Sequence, residues 1–146
     1  MKKLLLTAIF LGSLTGIFAQ KTDSWIAFAK TKFEPKYYDK LGEYMFYPNF
    51  SAELKALEGK EITLSGFYVP FAPEGDAYII LSKFPMSQCF FCGGAGPESI
   101  AEVNFAKDPG KFQVDDLISV RGKLKLNSSD MDHVNFILND AVVLSE

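Results

Sequence analysis

At Gly59 the chain changes period. From Glu61 to Val69, Ile62, Leu64, Gly66 and Tyr68 fall on alternate positions, and Pro70, Pro73 and Gly75 close the run. Alternation with a period of two predicts a half-buried strand. Four further runs follow. Ala77 to Phe84 ends at Pro85, and Ile100 to Phe105 is followed by the turn Asp108-Pro109-Gly110. Leu117 to Leu126 carries Gly122 inside it as a bend or bulge, and Val134 to Leu144 is interrupted near Asn139-Asp140. Short strands with glycines in the first and fourth predict a mainly β fold, a small five-stranded OB-like barrel over residues 59–146. A five-stranded sandwich-like sheet is the alternative. The link between the third and fourth strands leaves room for only a single helical turn, within Gly110 to Asp116.

Upstream the pattern is different. Ser51 to Glu58 reads as one or two helical turns, capped by Ser51 and stopped by Gly59. Residues 20–50 are rich in aromatic side chains, and Pro35, Gly42 and Pro48 prevent a long helix. Residues 20–58 are therefore expected to form an N-terminal arm with a short helix, Trp25, Phe28 and Ala29 sharing one side. Aromatic clusters usually bury, so the arm is expected to wrap the barrel, an exposed aromatic platform being the other reading. At the start, Lys2 and Lys3 precede an uncharged stretch from Leu4 to Ala19. That is short of the ~20 residues of a spanning helix and fits a cleavable signal peptide over residues 1–19. The expected product is periplasmic or secreted, with no membrane span after cleavage.

Charge excludes one class of partner. The chain has 15 basic and 18 acidic residues, Arg121 is its only arginine, and Lys2 and Lys3 leave with the leader. Nucleic-acid binding needs clustered Lys and Arg, so no nucleic-acid partner is expected. There is no GxSxG, GxGxxG or P-loop, and one histidine without an evident serine partner gives no nucleophile–base pair. Glu98, Glu102 and Asp108 read as ordinary edge and turn acids.

The dense chemical signal is Gln88-Cys89-Phe90-Phe91-Cys92-Gly93-Gly94, which holds both cysteines of the chain. Two intervening residues let both sulfurs face one point, which suits a structural disulfide, a metal site or thiol–disulfide exchange; inert thiols are the fourth reading. Gly93 permits the left-handed conformation that turns backbone N–H groups toward a thiolate. No βαβ pattern surrounds the motif, as a thioredoxin-like enzyme would require. In an OB-like barrel the loop between strands two and three lies at the same end as that between strands four and five. His133 is then brought toward Cys89 and Cys92, with Asp130, Asp132 or Glu98 as a fourth group. That set suits zinc, or copper(I) on grounds of softness. A solvated turn histidine is the plainer reading of His133.

The run from Gly59 to Pro70, then Leu81-Ser82, Cys89, Pro97-Glu98-Ser99 and Val120-Arg121-Gly122-Lys123-Leu124, resembles an uncharacterised family of small exported bacterial domains. The resemblance covers roughly residues 57 to 144. It implies a periplasmic or lipid-anchored protein, in some cases accompanying metal-uptake transporters. This chain has Cys-Phe-Phe-Cys where members carry one Cys before a proline-rich stretch, and it has no Cys after the leader for a lipid. The expectation is a binding or accessory module rather than an enzyme, for a transport or envelope component. It would bind zinc or copper through Cys89, Cys92 and His133. A redox module and an interaction domain with a fixed disulfide are the alternatives.

Overall fold

The computed structural model describes residues 24–39, 42–72 and 78–144; the expected signal peptide lies outside them. Among the described residues are seven strands and two short α-helices: α1 (Ser24–Phe28), β1 (Lys32–Tyr38), β2 (Glu43–Asn49), α2 (Ala52–Lys55), β3 (Glu61–Val69), β4 (Tyr78–Ser82), β5 (Ile100–Phe105), β6 (Leu117–Leu126) and β7 (Phe136–Val143). The last five close into a barrel in the order β3-β4-β5-β7-β6. Every pairing is antiparallel except β5 with β7. This is the expected mainly β, OB-like barrel.

Two close approaches explain its glycines. A Cβ on Gly66 would strike the Ser82 carbonyl oxygen where β3 passes from β6 to β4. A Cβ on Gly122 would lie 3.0 Å from the Asn139 carbonyl oxygen. Here the β6–β7 register slips between Arg121 and Lys123, and Asp140 takes φ 53°. The bend expected at Gly122 and the interruption at Asn139-Asp140 are thus two sides of one bulge.

Alternation sorts the barrel residues into two layers. Ile62, Leu64, Leu81, Ala101, Val103, Val120, Leu124 and Leu138 fill the interior. On the outer face Val69, Ile80, Ile100 and Cys89 form a second buried cluster, with Tyr78, Met86 and Val134 against it. No helix stands between β5 and β6; a turn at Val114-Asp115 occupies the stretch where a single helical turn was expected.

The arm closes one end of the barrel instead. Trp25 and Phe28 are buried, and Phe28 stacks on Phe136 with ring centroids 4.2 Å apart. Ala27, not Ala29, shares their buried side. Ser24 Oγ donates to the Thr63 carbonyl at 2.9 Å and Trp25 Nε1 to the Ser65 carbonyl at 2.8 Å, which ties α1 to β3. The rest of the arm is an antiparallel hairpin, β1 with β2, turned at Gly42 with φ 70°. The aromatic side chains of the arm divide between core and surface. Trp25, Phe28 and Phe50 are core, while Tyr37, Tyr44 and Phe46 are exposed. Ser51 caps α2 by accepting from the Leu54 amide at 3.2 Å.

No helix among the described residues is long and apolar enough to cross a membrane.

Candidate functional site

The connection from β4 to β5 folds back over the outer face as three short 3₁₀ turns, Met86–Gln88, Phe90–Cys92 and Pro97–Ser99. Its mouth is closed by the Lys83 amide donating to the Ser99 carbonyl at 2.8 Å. Its near side is pinned by the Met86 amide, which donates to Asp115 Oδ1 at 2.6 Å. Asp115 itself is left-handed, with φ 66°.

Within this loop the Cys89 carbonyl accepts from the amides of Cys92 at 3.1 Å and Gly94 at 3.2 Å. Gly93 takes φ 76°, as expected, and its amide donates to the Phe90 carbonyl at 2.9 Å. These amides are thus used by carbonyls and not by a thiolate. Gly94 is needed for space, since a Cβ there would meet the Gln88 carbonyl oxygen at 2.6 Å.

Both cysteines are free thiols, Cys89 buried and Cys92 exposed. Cys89 is inserted among Val69, Ile80 and Ile100, so the Phe90–Cys92 turn lifts its partner into solvent. Cys89 Sγ donates to Cys92 Sγ across 3.8 Å. Its hydrogen bond to Cys89, then desolvation and the charge of Cys89, hold the Cys92 thiol above its usual value of 9.0. Phe71 stacks on Phe91 at 4.5 Å and Phe90 meets Phe91 edge-on, so the exposed thiol stands beside an aromatic patch.

The loop from Asn127 to Asn135 lies at the same barrel end, and Val134 packs against the cluster that holds Cys89. The two loops thus share one end of the barrel, where β5 and β7 both begin. His133 nevertheless turns to another partner: its Nδ1 lies 2.8 Å from Oε2 of Glu102. Glu102, expected to be an ordinary edge acid, is 2% exposed. Its Oε1 accepts from Asn104 Nδ2 at 2.8 Å, and Asn104 also reaches Asn139 Oδ1 at 3.3 Å. Glu102 raises the His133 pKa by hydrogen bond and charge, assisted by Asp130 and opposed by desolvation and Lys125. Among the described residues no three or more His, Cys, Asp or Glu stand together as a metal-binding group. Of the expected fourth groups, Asp130 accepts from the Asp132 amide within the 127–135 turn, and Glu98 folds back beside Gly96.

Asn127 organises that turn. Its Nδ2 donates to the carbonyls of Asp130 at 2.6 Å, His133 at 3.0 Å and Val134 at 3.2 Å, while its Oδ1 accepts from the Ser129 and Asp130 amides. The sequence signal was present in Asn127-Ser128-Ser129-Asp130, side chains that bond their own backbone. A cleft of about 500 Å³ lies beside the 105–110 turn, with Tyr78, Lys107 and Asp108 in its lining.

The fold and this loop define a class, an OB-type barrel bearing a Cys-x-x-Cys loop on its outer face. Neither the protein-family models, nor the curated proteins, nor the solved structures contain a match to this chain.

Proposed function

We propose that the protein is an exported binding module that takes a soft metal ion, zinc or copper(I), on Cys89 and Cys92. The observation that carries this is the 3.8 Å between the two sulfurs. Two thiolates on one tetrahedral zinc, at bonds of ~2.3 Å, stand about 3.8 Å apart. The pair therefore closes on an ion with little movement of the loop. A metal also overcomes the raised Cys92 pKa, because binding displaces the thiol proton. The remaining coordination positions fall to water or to a partner protein, a transport or envelope component. The exposed side of Cys92 is where such a partner would reach the ion.

A second reading is favoured by the division into one buried and one exposed thiol. In a dithiol module, Cys92 attacks a substrate disulfide and releases one substrate thiolate. Cys89 then displaces the other and leaves a Cys89–Cys92 disulfide. The raised Cys92 pKa weighs against this order, since the thiolate is the nucleophile.

Native mass measurement, on protein purified without reductant from cells expressing the full chain, separates the two. Metal binding adds about 63 to 65 mass units that are lost on acidification. A closed disulfide removes about two units and supports the second reading. If the reduced protein binds zinc and copper(I) no more tightly than micromolar, the metal reading is abandoned.

A further inference from the structure

The 127–135 turn and the β1–β2 hairpin enclose a cleft of about 150 Å³. Met45 from β2 and Met131 and His133 from the turn all line it. Two thioethers and an imidazole form a donor set of distinct character. Thioether sulfur is soft and uncharged, a poor ligand for hard cations and a good one for copper(I). Imidazole completes a neutral set that leaves the single positive charge of the ion intact.

The Glu102–His133 pair is the second and independent observation. A carboxylate shut away from water is costly unless it is paired, and Glu102 spends one oxygen on His133 Nδ1. Acceptance by the carboxylate keeps the proton of the neutral ring on Nδ1, so the lone pair is on Nε2. A carboxylate behind the ring of a ligating histidine is a recurrent feature of metal sites, because it fixes the tautomer and raises ligand basicity. The Asn127 side chain fixes the backbone on either side of Met131 by holding the Asp130 and His133 carbonyls.

From this arrangement we infer that Met45, Met131 and His133 form a second soft-metal site, specific for copper(I), between the hairpin and the barrel. It is independent of the thiol loop. Because the hairpin supplies Met45 and the barrel supplies the other two donors, the ion also fastens the hairpin to the barrel.

The test uses the full chain carrying Cys89→Ala and Cys92→Ser, titrated with silver(I) as a redox-inert probe of copper(I) chemistry. Carbon-13 methyl labelling of methionine reports each thioether separately. The Met45 and Met131 signals are expected to move together and to saturate at one equivalent, with Met86 unmoved. Competition for copper(I) against bicinchoninate should then give an affinity at least tenfold weaker in Met45→Leu and in Met131→Leu, changes that conserve volume. Met45 and Met131 signals that stay in place, or affinities unchanged by both Leu substitutions, overturn the inference. If the cysteine-free chain binds neither ion, every soft-metal site lies on the thiol loop and the inference fails while the loop reading stands. If the cysteine-free chain binds as tightly as the unaltered one, the inference holds and the loop reading is what fails. Should the cysteine substitutions unfold the protein, the same methyl signals are read in the unaltered chain with silver(I) added beyond two equivalents, and the same shifts decide.

Discussion

The two thiols differ more in surroundings than in chemistry. Cys89 is buried among Val69, Ile80 and Ile100 with a sulfur partner, whereas Cys92 projects into water. Cys89→Ser places a hydroxyl among Val69, Ile80 and Ile100, at a cost of about 1–3 kcal/mol, read as a lower urea midpoint. Cys92→Ser should leave the midpoint where it is. Cys89 is also the largest cause of the raised Cys92 pKa, by its hydrogen bond. Cys89→Ala therefore moves the pH profile of Cys92 alkylation by iodoacetamide to lower pH; an unmoved profile would assign the shift to burial alone.

His133 gives a pH dependence with a defined sign. Its folded pKa is raised by Glu102, so its contribution to stability is fully present below the unfolded value of about 6.5. That contribution is lost as pH rises through the folded value. The imidazole is 38% exposed, so solvent screening keeps the effect small. With a chelator present, the urea midpoint should fall between pH 6 and the upper end of the histidine range, and Glu102→Gln should remove that slope. An equal slope in both proteins would place its origin elsewhere.

At the scale of elements, the thiol loop depends on a backbone contact that only glycine allows. Gly94→Ala drives a Cβ into the Gln88 carbonyl, and backbone on both sides leaves no flexible side chain to yield. The turn must open, and the sulfurs separate. Metal affinity at the loop should fall at least tenfold while far-UV circular dichroism stays that of the barrel. Preserved affinity would mean that the ion itself sets the loop geometry.

The same scale separates what was legible in the sequence from what was not. β3, β5 and β6 run over the residues that alternation marks, because each has one face in the barrel interior. The bulge at Gly122 and Asp140 was legible because glycine and Asn-Asp are poor strand residues for identifiable reasons. The hairpin was not. Pro35 and Pro48 read as breakers, yet in a two-stranded ribbon each strand has an unpaired edge, where a missing N–H does no harm. The placement of Cys89, Cys92 and the 127–135 turn at one end followed from topology. That His133 would choose Glu102 did not, since Glu102 looks like a surface acid until the folded loops cover it.

At the scale of the whole molecule, the question is whether the arm belongs to the barrel's cooperative unit. The interior cluster runs without a break from Trp25, Phe28 and Phe50 through Phe136 into Leu64, Val120 and Leu138. Phe28 is fully buried at the junction, stacked on Phe136 and met edge-on by Trp25 at 5.5 Å. Burying a ring of that size contributes about 1.5–3 kcal/mol, and a small domain has only ~5–15 kcal/mol of net stability. A barrel stripped of this plug would expose Phe136 and the Thr63 and Ser65 carbonyls that α1 covers. Arm and barrel are therefore expected to unfold together. Trp25 is the only tryptophan and sits in the arm, so its fluorescence reports the plug while far-UV circular dichroism reports mainly the strands. The two urea transitions should coincide. Phe28→Ala should move both to lower urea by the equivalent of about 3–5 kcal/mol, still coincident. If the Trp25 transition instead comes first and Phe28→Ala moves it alone, the arm is a separable flap. Met45, carried on the hairpin of that arm, would then leave the Met131–His133 cleft before the barrel unfolds. Copper(I) bound in that cleft should, in that case, raise the first transition and leave the second in place.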